Sequence, residues 1–360
     1  ASGAHDRAST RAPLSRLGRA PGGSMSGDVL SDVLRAVRLT GAVFFRMEGS
    51  APWVAEAPPG KLVAPHVMPG ADHVIEYHVV TRGSCYGYLL DGPPLRLRAG
   101  DVIVFPQGDP HVLASAPGMR SDFEGMQFYR GIQSAALPIA VSLSPPGADS
   151  AQIICGFLGC DAQPFNPLLA TLPRVIHIPR PLAAEGAALE PLIRIALGES
   201  VTPSAGSQSM LARLSELLFI EVVRRYLSTL PSETKGWLAG LRDELVGRAL
   251  GALHERPTQA WSLEELARQV GASRSVLAER FHHFVGVPPM QYLARWRMQL
   301  AASLLGGTSL GLSQVAERVG YGSEAAFSRA FKRLIGVAPS AWREGLRPPV
   351  GFVSNTDDEA

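Results

Sequence analysis

Three residues in the first third of the chain have the types and the spacing of a metal-binding set. Only one residue separates Glu76 from His78, so a β-strand would turn both side chains to the same face. His111 follows the apolar run 102–105, and we expect it on the neighbouring strand. Two imidazoles and one carboxylate are suitable ligands for divalent Fe, Zn or Ni. The sequence therefore leaves two interpretations open, histidines that are hydrogen-bonded inside the domain and a site for a divalent metal.

Two predicted helices in the last hundred residues carry side chains with the chemistry of base recognition. Arginine can bond to guanine, glutamate can accept a bond from cytosine, and alanine can contact the thymine methyl group. These residues lie opposite two apolar residues, Leu277 and Phe281 in the first helix and Phe327 and Phe331 in the second. We expect DNA contacts from Arg274, Ser275, Ala278, Glu279 and His282 of the first helix and from Glu324, Ala325, Ser328, Arg329, Lys332 and Arg333 of the second.

Positive charge is concentrated in the region that contains these helices. Residues 237–347 carry 14 Lys and Arg against nine Asp and Glu, a net charge of +5, whereas the whole chain has a net charge of +2. A protein that neutralises DNA phosphates needs such a basic region. We expect phosphate contacts from Lys332 and Arg333, and also from Arg295 and Arg297.

The elements that must position the two helices are repeated along the chain. Each copy begins with a short amphipathic helix, and Ala316 of the second copy lies 49 residues after Ala267 of the first. Gly271 and Gly320 stand where that helix must end in a left-handed turn, and a serine N-cap then starts the next helix. A connecting helix over Met290–Leu305 would be about 24 Å long. It would hold the two copies roughly one DNA turn apart, about 34 Å.

The repeated region resembles the DNA-binding domain of the AraC/XylS family of bacterial transcription regulators. The resemblance covers residues 241–347. It implies binding to double-stranded promoter DNA and contact with RNA polymerase, and it places Ser275, Ala278, Glu279 and Arg329 at base-contacting positions. Its most specific part is Val319-Gly320-Tyr321-Gly322-Ser323, followed by Phe327-Ser328-Arg329-Ala330-Phe331-Lys332-Arg333 and Gly336-Val337-Ala338-Pro339.

The first half of the chain contains short alternating strands between Gly and Pro turns, a pattern typical of a β-sandwich or barrel. The segment from Gly100 to His111 resembles the second motif of the cupins, which are jelly-roll barrels. The segment from Gly70 to His78 resembles their first motif, with Glu76 in place of a histidine. The resemblance implies a sensor domain that holds a metal or an organic effector. The predicted strands are Ile75–Val80, Cys85–Leu90, Leu95–Leu97, Val102–Phe105, Val112–Ala114 and Gly125–Tyr129.

The three cysteines are an odd number, which favours a reducing cytoplasm over a disulfide framework. The segment Ile153–Phe157 resembles a cupin-bearing subgroup of AraC-type regulators that includes a sensor of hypochlorous acid. This resemblance places Cys155 at a reactive position, with Cys160 or Cys85 as its candidate partner. Because apolar residues flank Cys155, the alternative is a buried and inert thiol.

Two amphipathic helices, Leu189–Leu197 and Ser209–Leu230, follow the predicted barrel. The heptad-like spacing of the second predicts pairing with a second copy of the chain or packing against its own barrel. No apolar run is long enough to span a membrane, and the N-terminal residues lack the apolar core of a secretory signal. The domains that we expect are a disordered extension (1–27), a sensor with dimerisation helices (28–230), a linker (231–236), a DNA-binding domain (237–347) and a flexible tail (348–360).

These observations predict an α+β protein with a jelly-roll barrel and helices in its N-terminal part and an all-α C-terminal domain. We expect a cytoplasmic, homodimeric transcription regulator, not an enzyme, whose barrel senses a small molecule, a metal or an oxidant. One alternative is an architectural DNA-binding protein with a vestigial barrel, which would respond to none of these signals. The other is a metal-dependent cupin enzyme fused to a DNA-binding domain.

Overall fold

The computed structural model describes residues 28–121, 125–131, 138–145, 147, 149–180, 188–231 and 233–345. The predicted extension and tail, residues 1–27 and 348–360, lie outside the described residues. Within the described ranges the α+β prediction is confirmed, because β-sheets form the N-terminal region and helices form the C-terminal region. In these ranges no helix has both the length and the apolar composition needed to cross a membrane.

The N-terminal region contains two β-sheets whose inner faces share one apolar core. The strands of the described residues are β1 Thr40–Ser50, β2 Val54–Ala57, β3 His73–Arg82, β4 Ser84–Leu89, β5 Leu95–Arg98, β6 Val102–Phe105, β7 His111–Ala114, β8 Ile139–Ser142, β9 Ser150–Cys160 and β10 Ile176–Ile178. One sheet has the order β10-β6-β3-β9-β1-β8, and the other has the order β2-β7-β4-β5. Sequence neighbours are therefore mostly not sheet neighbours, as in a jelly roll.

The helices divide into those of the N-terminal region and those that form the C-terminal region. The first group comprises α1 Val29–Ala36, α2 Gly60–Val67, α3 Gly125–Gly131, α4 Leu189–Val201 and α5 Ser207–Thr229. The second comprises α6 Trp237–Arg242, α7 Glu244–Glu255, α8 Leu263–Gln269, α9 Arg274–Val285, α10 Pro289–Gly307, α11 Leu312–Arg318, α12 Glu324–Ile335 and α13 Pro339–Arg343. Helix α1 packs against α7 and α10 of the second group. The predicted connecting helix is α10.

Helix α5 packs on the outer face of the six-stranded sheet. The backbones approach so closely at Gly41 that a Cβ atom there would lie 2.3 Å from the carbonyl oxygen of Ala212. The Tyr77 hydroxyl lies 2.6 Å from the Ser215 hydroxyl across the same interface. The structure thus shows α5 packed against its own barrel, which was one of the two sequence-based alternatives.

The predicted strand Gly125–Tyr129 is wrong, because these residues belong to helix α3. Adjacent residues of a strand point to opposite faces, whereas those of a helix can share one side. Phe128 and Tyr129 both pack on Phe45, with ring centroids 5.0 and 6.0 Å away. The apolar residues of this segment therefore lie on one side of a short helix of about two turns that packs over the barrel.

The two helix–turn–helix units differ in the core to which they belong. Leu266 and Phe281 of the first unit share one hydrophobic cluster with Val33 of α1 and Leu218 of α5. The second unit has a separate cluster, which includes Phe331 and the C-terminal half of α10. The N-terminal region and the first unit are therefore joined by continuous apolar packing.

Candidate functional site

A cavity of about 330 Å³ lies between the two sheets of the barrel. The cavity is closed on one side by helix α3, which contributes Phe128 and Tyr129. Strands β1 and β9 supply Phe45, Met47, Cys155 and Phe157. Most of the wall is therefore apolar, and its shape is set by side chains from both sheets.

The predicted metal-binding residues meet at one end of this cavity. Glu76 and His78 point to the same face of β3, as predicted, and the ligand atoms of Glu76, His78 and His111 all lie within 4.8 Å of one another. The position of His111 corrects the prediction of a neighbouring strand. His111 lies on β7 of the four-stranded sheet, which faces the six-stranded sheet that contains β3. The three residues therefore come from both sheets.

Hydrogen bonds fix the protonation of the two histidines. His111 Nδ1 lies 2.9 Å from the Asp109 carbonyl oxygen, which can only accept, so Nδ1 carries the proton and Nε2 has a free lone pair. His78 Nε2 lies 2.7 Å from that Nε2 and must donate to it. His78 Nδ1 then has no partner among the described residues, and neither do the two carboxylate oxygens of Glu76.

Burial keeps all three groups uncharged near neutral pH. It raises the pKa of Glu76 to about 8 and lowers the pKa of His111 to about 4. Burial, followed by the proximity of His111, also lowers the pKa of His78 well below its usual value. His111 Nε2 lies 3.9 Å from the Glu76 carboxylate, so a neutral His111 forms no ion pair with it. Unpartnered buried polar atoms are costly, and a bound divalent cation would satisfy them.

The structure separates the two cysteines that were predicted as a redox pair. Cys155 and Cys160 are five residues apart on β9, so their side chains lie on opposite faces and in different clusters. Cys85, the other candidate partner, shares the inner cluster with Cys155. The Cys155 thiol lies 3.1 Å from the sulfur of Met47, and burial raises its pKa well above the usual value. It is therefore a neutral thiol, which is a weak nucleophile.

The predicted DNA-contacting side chains lie on the outer faces of α9 and α12. Each helix begins at a serine whose hydroxyl accepts from a backbone N–H three residues on, Ser273 from Val276 and Ser323 from Ala326. Phe281 and Phe331 are fully buried on the inner faces. The exposed predicted residues are Arg274, Ser275, Glu279, His282, Glu324, Ala325, Arg329, Lys332 and Arg333, and the half-buried ones are Ala278 and Ser328.

The structure corrects the role predicted for Arg297. This half-buried side chain of α10 donates to the carbonyl oxygens of Pro257 and Gln259, at 2.6 and 2.8 Å, and its guanidinium lies over the ring of Tyr321. These contacts join the loop before α8 to the turn of the second unit. Arg297 therefore ties the two helix–turn–helix units together and is not a free phosphate ligand. Arg295 is also half-buried.

Sequence reasoning missed two buried polar residues, His254 and Gln299. The imidazole of His254 stacks on Trp296 and lies 2.8 Å from the Tyr292 hydroxyl. Gln299 of α10 is completely buried. A signal was present for Gln299, because it lies three residues after Trp296 on the apolar side of the predicted helix.

Two family models match the chain. One, described as Cupin, matches residues 28–228, and the other, described as Helix-turn-helix domain, matches residues 266–345. An AraC-like transcription regulator of Streptomyces lividans is 34% identical over 278 residues, which are 76% of this chain and 88% of that protein. The RCS-specific HTH-type transcriptional activator RclR of Escherichia coli is 26% identical over 275 residues, which are 76% and 86% of the two chains.

One solved structure similar to the C-terminal region is the C-terminal domain of AraT, a response regulator from Geobacillus stearothermophilus. It is 30% identical, with a TM-score of 0.28, and covers 33% of this chain and 94% of that one.

Proposed function

Because the chain belongs to the AraC-like transcription regulators that carry a cupin domain and a helix–turn–helix domain, it is a DNA-binding regulator, and we propose that its barrel cavity senses the controlling signal. The cavity itself carries this proposal. Its volume of about 330 Å³ lies in the usual range for small-molecule sites, roughly 300–1,000 Å³. With apolar walls and polar groups at one end, it fits a small molecule that has an apolar body and one polar head group.

The signal is transmitted as a shift between two populations. A ligand changes DNA binding only if it binds one relation of the barrel to the DNA-binding domain better than another. The continuous core of the sensor and the first helix–turn–helix unit supports such coupling, because a change in barrel shape must be accommodated by that unit.

A cavity-filling variant tests the sensor. Val141 of β8 lines the cavity, and Val141→Phe would occupy the space of a ligand. Ala140→Phe adds the same ring to an exposed position of the same strand and serves as the control. A reporter controlled by DNA selected from a random pool is screened with small apolar acids and alcohols. We expect at least one compound to change reporter expression when the regulator is wild type or Ala140→Phe. The same compound should have no effect when the regulator is Val141→Phe. An unchanged response with Val141→Phe would contradict the proposal.

A divalent metal at Glu76, His78 and His111 is the second candidate signal. The two unpartnered oxygens of Glu76 favour it, because the ligand atoms of the three residues all lie within 4.8 Å of one another. A bound metal would take the place of the hydrogen bond between His78 Nε2 and His111 Nε2. When bound, an Fe, Zn or Ni ion would supply the positive charge that stabilises the Glu76 carboxylate. An enzyme based on this set would show turnover; we propose a regulatory role without catalysis.

Elemental mass spectrometry of the untagged protein tests the metal. We expect about one metal ion per chain in wild type and in His283→Ala, which alters an exposed histidine of α9. His78→Ala should reduce the content to near zero. A metal-free wild type grown in metal-replete medium would leave the organic ligand as the signal.

We further propose that α9 and α12 place the predicted side chains against DNA in the bacterial cytoplasm. Their outward orientation supports this, and so does the excess of basic residues in this region. Contact with RNA polymerase and pairing with a second copy of the chain complete the proposal. Met210 and Leu217 of α5 support pairing, since about half of each side chain is exposed. Sedimentation of wild type and Leu217→Lys would measure it, and a monomeric wild type would refute it.

An oxidant is the least supported signal. RclR is named as RCS-specific, and Cys155 lies in the wall of the cavity. Its thiol is buried and neutral, so reaction would require the oxidant to enter the cavity.

A further inference from the structure

A single buried amide joins the sensor to the helix that carries both DNA-reading units. Gln299 Nε2 donates to the carbonyl oxygen of Ala36 at 2.9 Å, and Gln299 Oε1 accepts from the backbone N–H of Phe165 at 3.0 Å. Because an N–H can only donate and a carbonyl can only accept, these two partners fix the orientation of the amide. We call this pair of bonds the Gln299 clasp.

The two partners of the clasp belong to one rigid platform. Ala36 ends α1, and Phe165 lies in the loop that follows β9. The guanidinium of Arg38 makes two bonds of 2.7 Å to the Asp161 carboxylate, and the Asp161 N–H donates to the Val37 carbonyl at 2.8 Å. Paired bonds of this kind restrict relative motion. The segments on the sensor side of the clasp therefore move together.

This platform continues the wall of the cavity. Strand β1 begins at Thr40, just after Arg38, and β9 ends at Cys160, just before Asp161. The two strands pair with Thr40 opposite Gly159 and Phe45 opposite Cys155, and the register shifts between Val43 and Phe45. Phe45 and Cys155 line the cavity. A ligand that displaces β1 and β9 at the cavity therefore displaces the platform through two hydrogen-bonded strands.

On the other side, the clasp holds α10 between the cores of the two DNA-reading units. Trp296 belongs to the cluster of the first unit, and Met298 and Ala302 belong to the cluster of the second. Gln299 lies between them and is itself completely buried. A shift of the platform therefore acts on the helix that sets the relation of both units.

Other polar side chains lie near the contact between α1 and the first unit. Asp32 of α1 lies 3.8 Å from His254 Nδ1, and His254 Nε2 is within 2.8 Å of the Tyr292 hydroxyl on α10. Tyr292 accepts a bond from Trp237 Nε1 at 2.9 Å. Because burial keeps His254 neutral and its Nδ1 has no hydrogen-bond partner among the described residues, Asp32 forms no ion pair with it. The bond that holds α1 to α10 is therefore that of the Gln299 clasp.

We propose that Gln299 is the positioning residue through which the barrel cavity and the DNA-reading units are coupled. The proposal rests on the proposed function, because it assigns the route by which cavity occupancy reaches DNA. Coupling of this kind is reciprocal, so DNA bound to the reading units must also change the barrel through the clasp. The route can therefore be tested without knowing the effector.

The experiment is hydrogen–deuterium exchange of the full chain with and without a duplex selected from a random pool by the wild-type protein. In wild type we expect the duplex to change exchange at residues 153–157 by about fivefold, the lower end of usual coupling factors. Gln299→Met keeps the length of the side chain and removes both bonds. We expect it to bind the duplex and to lose the change in the barrel.

Gln208→Met, which alters an exposed glutamine of α5, is the matched control and should keep the wild-type response. A barrel response that persists in folded, duplex-bound Gln299→Met would overturn the proposal. A wild-type barrel that does not respond to the duplex would overturn it as well. If Gln299→Met does not fold, Arg38→Gln, which loosens the platform from an accessible position, is judged by the same two criteria.

Failure of the clasp and failure of the sensor give different results. DNA is the only ligand in the exchange experiment, so the clasp can fail while a compound still acts through the cavity. Conversely, loss of any response to compounds in the reporter assay leaves the exchange result unaffected.

Discussion

The two helix–turn–helix units share one sequence pattern and lie in different surroundings. The first unit packs into the same cluster as α1 and α5 of the sensor. The second unit packs on the C-terminal half of α10 and on Trp342 of α13. The two units therefore have the same sequence pattern, but the first shares the hydrophobic core of the N-terminal region and the second has a core of its own. The difference teaches that, under the proposed function, a signal from the barrel would reach the first unit directly and the second unit through α10.

The largest expected effects come from truncating Phe281 and Phe331, the equivalent buried aromatic residues of the two units. Phe281→Ala and Phe331→Ala should each cost about 3–5 kcal/mol, because each empties a fully buried position. Phe281→Ala should destabilise the sensor and the first unit together, whereas Phe331→Ala should unfold the second unit alone and abolish DNA binding. Hydrogen exchange resolved by region measures this.

Equal loss of protection in the barrel for both variants would show that the two cores are not separate. A fully folded Phe331→Ala protein would refute its placement in a core.

The shared core should also make stability depend on pH through His254. Burial lowers the pKa of His254 to about 3, so between pH 6.5 and 3 the unfolded chain binds a proton that the folded chain does not. The free energy of unfolding should therefore fall as the pH falls below 6.5. The part of the loss that comes from His254 should be about 2 kcal/mol between pH 6.5 and 5, at 1.36 kcal/mol per pH unit, and it is the difference between wild type and His254→Gln.

Urea unfolding at several pH values measures this, with His254→Gln as the comparison, since both proteins keep the other buried histidines. If His254→Gln shows the same slope as wild type, His254 does not titrate in this way.

Equivalent positions of the two reading helices carry opposite charges, and this should separate their effects on DNA affinity. Arg329 lies 50 residues after Glu279, and both are exposed. Arg329→Ala should weaken binding by about 1–3 kcal/mol. Glu279→Ala removes both a base contact and a charge that repels phosphate, and these effects oppose each other, so we expect it to change the affinity by less than about 1 kcal/mol.

Fluorescence anisotropy with the selected duplex, at one stated salt concentration, measures both variants. Unchanged affinity in Arg329→Ala would show that the second helix does not read bases through this residue.

The hydrogen bonds of Arg297 should fix the distance between the two helix–turn–helix units. Arg297→Met removes two bonds to backbone carbonyls, and we expect it to weaken binding to a duplex with both half-sites by about 1 kcal/mol. Binding to a duplex with one half-site should stay within error. Equal losses on both duplexes would instead indicate a direct phosphate contact.

The smallest expected effect concerns the thiols of the barrel. All three cysteines are buried, and burial raises the pKa of Cys85 and Cys160 to about 12. Titration with a thiol reagent should therefore label none of them quickly in the native protein and all three in urea. Fast labelling that disappears in Cys155→Ser would show that the Cys155 thiol is accessible and reactive. The response of wild type and Cys155→Ser to hypochlorous acid would then test Cys155 as an oxidant sensor.

The two helix–turn–helix units were predicted from sequence more completely than the barrel. The N-caps Ser273 and Ser323 and the buried Phe281 and Phe331 follow from patterns within one copy, since helix formation depends on residues three or four apart. In the barrel, Val102–Phe105 was predicted with its observed bounds. Strands β1 and β9 escaped prediction, and the residues that pair between them are 100 to 119 positions apart along the chain.

The candidate sites also combine features that depend on local sequence with features that depend on long-range packing. The sequence alone determined that Glu76 and His78 share a face, because alternation along a strand is a local property. Only the tertiary structure decided that His111 meets them from the facing sheet, that Cys155 and Cys160 are held apart, and that Arg297 binds carbonyl groups.

Gln299 is the clearest example of a contact that only the tertiary structure decided. The sequence places a polar residue on the apolar side of α10, and nothing local identifies its partners. Those partners, Ala36 and Phe165, are 263 and 134 residues away along the chain. Periodicity determined the elements because it acts over a few residues, whereas the contacts between elements depend on how the whole chain packs.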